Sequence, residues 1–529
     1  MKKESLFSQP VGIEIFRNLY FSVLDAMGIV LCRSSYSTNI KERQDYSCAL
    51  FDHRGRLIVQ GDHLPVHLGS MALSVASAVK HCHFEDGDIV ILNDPFYGGT
   101  HLPDITAIIP VFIQGGTLPY IYLANRAHHA DIGGMSPGSM APCSEIYQEG
   151  LRIPPVHLVK KGTVNEELMK LILMNVRSSG ERSGDFQAQM ASLREGKKRI
   201  EKIIDRYGES ANSDFMENLL NYTECLTRSF IRSIPNGEYC SQDFMDDNGV
   251  SHLPVSIAVS IKIDGEEAWI DFSGTDPEQA GNINAVFSIT VSAVHYVFRA
   301  LMPEDTPTNE GFTRPIHVSV PEKCFLNATP PCAVAAGNVE TSQRIVDACF
   351  KALSKCLQHK IPAASSGSMN NLTIGGFDSF RNRFFTYYET IGGGMGARSG
   401  INGLDGVHTH MTNTKNTPIE VLETELPLRV IRYRLRLNSG GRGKYKGGKG
   451  IRRDLQVLVP ARVSILSDRR TTVPYGLDGG FPGAKGINRL IRDNDSRLLP
   501  SKCTIHAQEN DIISISTPGG GGYGKASRS

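Results

Sequence analysis

The stretch Gly98-Gly99-Thr100-His101-Leu102-Pro103-Asp104-Ile105-Thr106-Ala107-Ile108-Ile109-Pro110-Val111-Phe112, with Leu118-Pro119-Tyr120-Ile121-Tyr122-Leu123-Ala124-Asn125-Arg126-Ala127-His128-His129-Ala130-Asp131 after it, decides how the chain is read. Ile105 to Phe112 and Leu118 to Asn125 are strand-like apolar runs, separated by the turn composition Gln114-Gly115-Gly116-Thr117. His101 and Asp104 precede the first run and His128 follows the second, so antiparallel pairing brings them to one end of a sheet. With His129 and Asp131 they make five imidazole and carboxylate groups in two short segments. Two readings stay open. Neutral imidazole and carboxylate hold a divalent cation that activates water. Alternatively they are polar loop residues, since Gly-Gly and Pro-Asp are ordinary turn chemistry.

Outward from this pair, Ile13, Phe16, Tyr20, Val23, Met27 and Val30 recur at helical spacing and predict an opening helix with a core-facing stripe. Cys48 to Asp52 and Leu57 to Gln60 flank His53-Arg54-Gly55-Arg56, a β-hairpin pattern. Leu68, Met71, Ala72, Val75 and Val79 return to helical spacing, and Asp88 to Asn93 reads as a further strand. Long helices are expected from Asn165 to Tyr207 and from about Ser213 to Arg232, then strands over Val255–Ile261 and Ala268–Phe272. Another helix is expected over Val339–Leu357, and short β runs with Gly-rich turns follow residue 430. The fold class is therefore α+β and multi-domain, with mixed or antiparallel sheets, long helices and a β-rich C-terminal region. The expected division is a metal-binding α+β domain at 1–235, a central α/β region at 236–430 and a β-rich region at 431–529.

At 529 residues the chain exceeds one compact core of ~150 residues. Its 56 basic and 55 acidic residues form no long blocks, which argues against nucleic acid or an anionic membrane as partner. No run of about 18 uncharged apolar residues occurs and Met1-Lys2-Lys3-Glu4 leads into no apolar segment, so a soluble, cytoplasmic chain is expected. The 11 cysteines are dispersed without C-x-x-C pairs and read as reduced thiols. Gly443 to Gly450 nearly fits a phosphate loop, but Gly450 stands where Ser or Thr belongs and both flanks alternate like strands. Gly392 to Gly400 lacks the strand and helix of a dinucleotide fingerprint, and its glycines read as sites of close backbone approach. Neither provides a site for ATP.

Several segments, in order, resemble the hydantoinase B / 5-oxoprolinase B-subunit family, which includes N-methylhydantoinase B. They are Ile40-Lys41-Glu42-Arg43-Gln44-Asp45-Tyr46-Ser47, Gly98 to Asp104, Ala127 to Gly134, Asn175-Val176-Arg177, Gly406 to Pro418, Glu420 to Glu423, Ser439 to Gly443 and Pro518 to Gly524. The resemblance implies the B subunit of an ATP-dependent cyclic-amide hydrolase in a hetero-oligomer. A hydantoinase A-type partner would use ATP to phosphorylate a lactam or hydantoin, and metal-activated water would then attack it here. It further implies His101, Asp104 and His128 as metal ligands, with Asp45 as a fourth ligand or a nearby acid. One divalent ion, Zn²⁺, Mn²⁺ or Fe²⁺, suits that set. His129 would point away from His128. Asp131 would orient His128, act as base, or cap the Gly133-Gly134 turn. His408 and His410 lie on one side if their stretch is extended and are candidates for a second site. Lys41, Glu42 and Arg43 would either meet substrate or phosphate or be solvated. The same family resemblance extends to α subunits of ATP-dependent ketone carboxylases, and a purely structural partner subunit is the non-enzymatic alternative.

Overall fold

The computed structural model describes residues 10–61, 64–113, 115–493 and 495–526. The reading of Met1 to Glu4 and the Gln114 turn position lie outside those residues. The opening helix α1 (Pro10–Ser34) buries Phe16, Tyr20, Val23 and Met27 as their spacing predicts. It is long and apolar enough to cross a membrane by length and composition. Here its apolar stripe packs within the core, where Phe16 stacks on Phe215 with ring centroids 4.9 Å apart. A four-residue helix α2 (Thr38–Lys41) follows.

The sheet that carries the site has seven antiparallel strands in the order β2-β1-β5-β4-β3-β6-β7. They are β1 (Tyr46–Asp52), β2 (Leu57–Gln60), β3 (Ile89–Leu92), β4 (Asp104–Phe112), β5 (Pro119–His128), β6 (Val156–Lys160) and β7 (Thr163–Val164). Strand alternation splits its side chains between two cores. Cys48, Leu50, Ile105, Ala107, Ile109 and Leu123 join the main core, and Ala49, Phe51, Ile108, Tyr122 and Ala124 pack with Met71, Val75 and Ala78 of α3 (Ser70–His81). Cover on both faces explains why these strands read as nearly continuous apolar runs.

A short α4 (Ile146–Glu149) leads to α5 (Glu166–Met174), α6 (Ser179–Tyr207) and α7 (Glu209–Arg232). The helical pattern from Asn165 to Tyr207 is thus interrupted at 175–178, where the chain turns so that the Arg177 N–H and guanidinium bond Asp131. Strands β8 (Gly237–Met245), β9 (Val255–Asp264), β10 (Glu267–Asp271) and β11 (Ile316–Ser319) form a second sheet with α8 (Phe287–Leu301) and α9 (Glu310–Thr313) between β10 and β11 in sequence. The helix expected from Val339 starts as a π-type turn at Gly337–Thr341 and continues as α10 (Ser342–Leu353). The largest core draws on residues from Phe16 to Leu466 and so passes across residue 235.

Beyond it come β12 (Asn371–Asp378), β13 (Arg383–Glu389), α11 (Ile419–Glu425), β14 (Leu428–Leu435), β15 (Ile451–Val457), β16 (Ala461–Leu466), β17 (Ile487–Arg492), β18 (Asp495–Leu499), β19 (Lys502–Ala507) and β20 (Ile512–Ser516). They form sheets ordered β13-β12-β16-β19 and β14-β15-β20-β17-β18 over a shared core that includes Ile374, Phe385, Leu455, Val463 and Ile513. Gly443 to Gly450 lies in the connection between β14 and β15 and opens no helix. The Gly-rich segments interleave: Gly394 N–H donates to Pro518 O at 3.0 Å, Gly520 N–H to Gly448 O at 2.9 Å and Gly448 N–H to Met395 O at 2.8 Å. A Cβ on Gly520 would stand 2.0 Å from Met395 O, so backbone alone fits there.

Candidate metal centre

Asp104 opens β4, His128 closes β5, and the two are Cα partners. His129 N–H donates to Pro103 O at 2.9 Å and Asp104 N–H to His101 O at 3.1 Å, which folds the residue 101–104 turn back over the strand ends. The convergence read from the sequence is therefore present. His101 Nε2 stands 3.3 Å from Asp104 Oδ2, His128 Nδ1 stands 3.3 Å from Asp104 Oδ1, and the two ring nitrogens are 3.2 Å apart. His101 is 0 %, Asp104 2 % and His128 2 % exposed.

Donor atoms around a tetrahedral ion with bonds of ~2.0–2.1 Å are separated by ~3.4 Å, close to these spacings. The chemistry of the set also suits a cation. Two imidazole nitrogens aimed at each other share one proton at most when neutral, and a divalent ion satisfies both lone pairs. A buried His–Asp–His group able to bind a metal is thus built at the ends of two central strands. Burial opposes charge on Asp104, yet His101, His128 and His67 hold its carboxyl well below the usual range. Thr100 Oγ1 donates to Asp104 Oδ2 at 2.6 Å and helps fix the carboxylate.

Among the described residues, the remaining sequence candidates do not join this trio as a group of donors. Asp45 accepts the His128 N–H at its backbone carbonyl, at 3.0 Å, while its carboxylate stands 3.9 Å from Arg43. Asp131 accepts from the N–H groups of Gly133, Gly138 and Arg177 and from the Arg177 guanidinium, at 2.9–3.2 Å. Those four bonds fill the acceptor capacity of its two oxygens, the turn-capping role among the alternatives above. His129 points away from His128, with Nε2 3.0 Å from Gln189 Oε1, and burial pushes it down to about 4.

His410 has a left-handed φ of 59°, so its stretch is not extended, and the two histidines have different neighbours. His410 Nε2 stands 3.6 Å from Asp347, whereas His408 is influenced by Arg43 and Asn416. They form no second metal cluster among the described residues. Of the three charged residues read as ligand contacts or solvated groups, Lys41 is exposed and Arg43 is fully buried. Arg43 bonds Tyr388 O, Thr390 and Thr414 and lies 4.7 Å over the Tyr388 ring, which stacks on His128 at 4.8 Å.

Two residues escaped the sequence reading. His67, on a 3₁₀ turn before α3, has Nδ1 2.8 Å from Ser47 Oγ and Nε2 3.5 Å from Asp104 Oδ2. Burial lowers its pKa and favours the neutral ring that a metal needs. Glu149, at the end of α4, is buried, pushed up to about 7 by burial, and lies within electrostatic reach of His101. Irregular turns have no period, so spacing could reveal neither.

A mixed α/β chain with a buried His–Asp–His group at a sheet end is the class that fold and site define. The Hydantoinase B/oxoprolinase family model matches residues 9–526, and the chain belongs to that family. It is 40 % identical over 544 residues to 5-oxoprolinase 1 of Arabidopsis thaliana, covering 97 % of this chain and 42 % of that protein. It is 32 % identical over 539 residues to the B-type subunit of a putative D-/L-hydantoinase from a Pseudomonas species, covering 97 % of this chain and 90 % of that one. The chain thus spans about two-fifths of the oxoprolinase and nearly all of the hydantoinase chain. Among solved structures, the ATP-dependent caprolactamase of Pseudomonas jessenii superposes with a TM-score of 0.91 at 27 % identity, covering 98 % of this chain and 91 % of that one. Acetone carboxylase shares the fold, with a TM-score of 0.90 at 18 % identity over 99 % of this chain and 77 % of that one.

Proposed function

We propose that this chain is the B-type subunit of an ATP-dependent cyclic-amide hydrolase, opening a lactam or hydantoin that an A-type partner has phosphorylated. The observation that carries the reading is the buried trio of His101, Asp104 and His128. A divalent ion held by these residues would lower the pKa of a bound water from about 16 toward 7 and so supply a nucleophile at neutral pH. Zn²⁺, Mn²⁺ and Fe²⁺ all suit the donor set. His67, with Nε2 3.5 Å from Asp104 Oδ2 and Nδ1 beside Ser47, would be a further donor to an ion of more than four ligands, which keeps a position for water. Asp45 stays near the site as an acid, whereas Asp131 holds the residue 131–139 loop and is left out of the reacting groups.

An amide is a poor electrophile, and phosphorylation of its oxygen converts it into an imidate-like phosphate with a good leaving group. The names of the relatives support this division of labour: one is a 5-oxoprolinase more than twice this chain's span, another the B-type chain of a hydantoinase. The phosphate-loop-like segment Gly443 to Gly450 lies between two strands and opens no helix, so ATP use is assigned to the partner. The test is a screen of 5-oxoproline, hydantoins and caprolactam with this chain, an A-type subunit and ATP. Ring opening that needs all three components is expected, and ring opening by this chain alone would sink the two-subunit account.

A further inference from the structure

The backbone of His128 is fixed by its pairing with Asp104 and by the bond from its N–H to Asp45 O at 3.0 Å. Its ring is less constrained by bonding. Nδ1 faces Asp104 Oδ1 at 3.3 Å and His101 Nε2 at 3.2 Å, while Nε2 is buried and has no hydrogen-bond partner among the described residues. The χ2 torsion of a histidine has broad wells, so rotamer preference alone does not set the ring plane. A metal-bound imidazole is ordinarily oriented by a hydrogen bond from its second nitrogen to a carboxylate or carbonyl. His128 lacks that bond. His101 lacks it too, at Nδ1, and its ring packs on His128 at 5.0 Å and 57°, so the plane of His128 bears on both donors.

A ring face stands in for the missing bond. Tyr388, on β13, stacks on His128 with centroids 4.8 Å apart and planes only 14° from parallel. The phenol is itself held firmly. Its hydroxyl donates to Asn371 Oδ1 at 2.8 Å, and Asn371 Nδ2 donates in turn to Glu340 Oε1 at 2.7 Å and Leu466 O at 2.9 Å. Arg43 lies over the same ring at 4.7 Å and donates to Tyr388 O at 3.1 Å, a cation on a π face. Tyr388 and Arg43 are both buried, so no solvent competes for these contacts.

We infer that Tyr388 is a positioning residue of the metal centre, its ring lying along His128 and setting the imidazole plane in which Nδ1 meets the ion. The inference rests on the reading of His101, Asp104 and His128 as ligands. The ring face does the positioning, because the hydroxyl is engaged by Asn371 and the hydroxyl's role is to hold the phenol in place. A ligand on the seven-stranded sheet is thereby aimed by a residue of the sheet β13-β12-β16-β19.

Tyr388→Phe keeps the ring and drops the hydroxyl, whereas Tyr388→Leu keeps apolar bulk and drops the ring. Zn²⁺ affinity of the full chain and both variants is measured by competition with a chelator, and the Tm of each metal-free chain beside it. Tyr388→Leu should weaken Zn²⁺ binding about 10–100-fold, the loss usual when a residue that orients a ligand is removed, and Tyr388→Phe should restore wild-type affinity. Wild-type affinity in a folded Tyr388→Leu chain overturns the inference and leaves the ligand trio standing. Equal losses in the two variants also overturn it, since the hydroxyl would then be the determinant. Should Tyr388→Leu not fold, near-UV circular dichroism of wild type and Tyr388→Phe during the Zn²⁺ titration decides. A change in the tyrosine band on saturation that is absent from Tyr388→Phe is expected, and the same change in both chains overturns the inference. A wild-type chain that binds no divalent ion overturns the ligand reading and this inference together.

Discussion

Asp104 and His128 are Cα partners across β4 and β5, and that register sets Asp104 Oδ1 3.3 Å from His128 Nδ1. A slip of one residue would turn one of the two to the opposite face of the sheet. The trio is therefore as specific as the strand pairing that builds it. Replacing any one of its members removes a donor that neighbouring side chains do not replace. Asp104→Ala and His128→Ala should each lower divalent-metal affinity by more than about 100-fold, beyond the effect usual for residues that only orient ligands. Equilibrium dialysis with Zn²⁺ and Mn²⁺ measures this, and unchanged affinity would contradict the ligand assignment.

His67 supplies a graded test of the same centre. Ser47 fixes its ring through Nδ1, leaving Nε2 directed at Asp104. Ser47→Ala should weaken metal binding about 10-fold, within the usual range for a residue that orients a ligand. His67→Ala should weaken it further, and identical affinities in both variants and wild type would remove His67 from the site.

Asp131 and Arg177 make a structural prediction. Asp131 is fully buried with four hydrogen bonds, and Arg177 is partly exposed. Arg177→Ala should lower the unfolding free energy by about 2 kcal/mol in a denaturant titration, as loss of a charged hydrogen bond does. Asp131→Asn should likewise lower stability while ring opening per folded molecule is kept; abolished turnover in a stable Asp131→Asn chain would return it to the reacting groups.

Burial pushes the His295 imidazole from 6.5 down to about 4. The folded chain keeps this ring neutral while the unfolded chain protonates it, so its contribution to stability is lost as pH falls from 6.5 toward 4. Glu149 and Glu340, pushed up to about 7 and about 8, titrate in the opposite sense, so the comparison must be with a variant. The Tm of wild type minus that of His295→Gln should decrease from pH 7 to pH 4. A constant difference would contradict the shift.

Gly520 has no room for a side chain, since its Cβ would meet Met395 O at 2.0 Å and Met395 C at 2.3 Å. Gly520→Ala should destabilise the chain by about 3 kcal/mol, at the upper end for overpacking. A Tm equal to wild type would mean that the Gly-rich layers separate easily.

Elements with a period were legible in the sequence. Alternation in Ile105–Phe112 and the helical spacing of Phe16, Tyr20, Val23 and Met27 located strand and helix, and antiparallel pairing then placed His101, Asp104 and His128 together. What lay on irregular backbone stayed hidden. His67 sits on a 3₁₀ turn, Glu149 ends a four-residue helix, and the left-handed residue at His410 parts it from His408. The break at 175–178 was equally invisible, because it answers a tertiary bond to Asp131. Asp45 shows the limit of a motif: its segment borders the site, but its carboxylate stands 3.9 Å from Arg43, whose guanidinium lies over the Tyr388 ring brought from a distant position.

The most direct test of the central claim is product formation from a cyclic amide by metal-stripped chain with an A-type subunit and ATP, measured before and after one equivalent of Zn²⁺, Mn²⁺ or Fe²⁺ is restored. The metal-centred mechanism predicts no ring opening without the ion, recovery with at least one of the three, and no recovery in His101→Ala. Ring opening at an undiminished rate by the metal-free chain would contradict it.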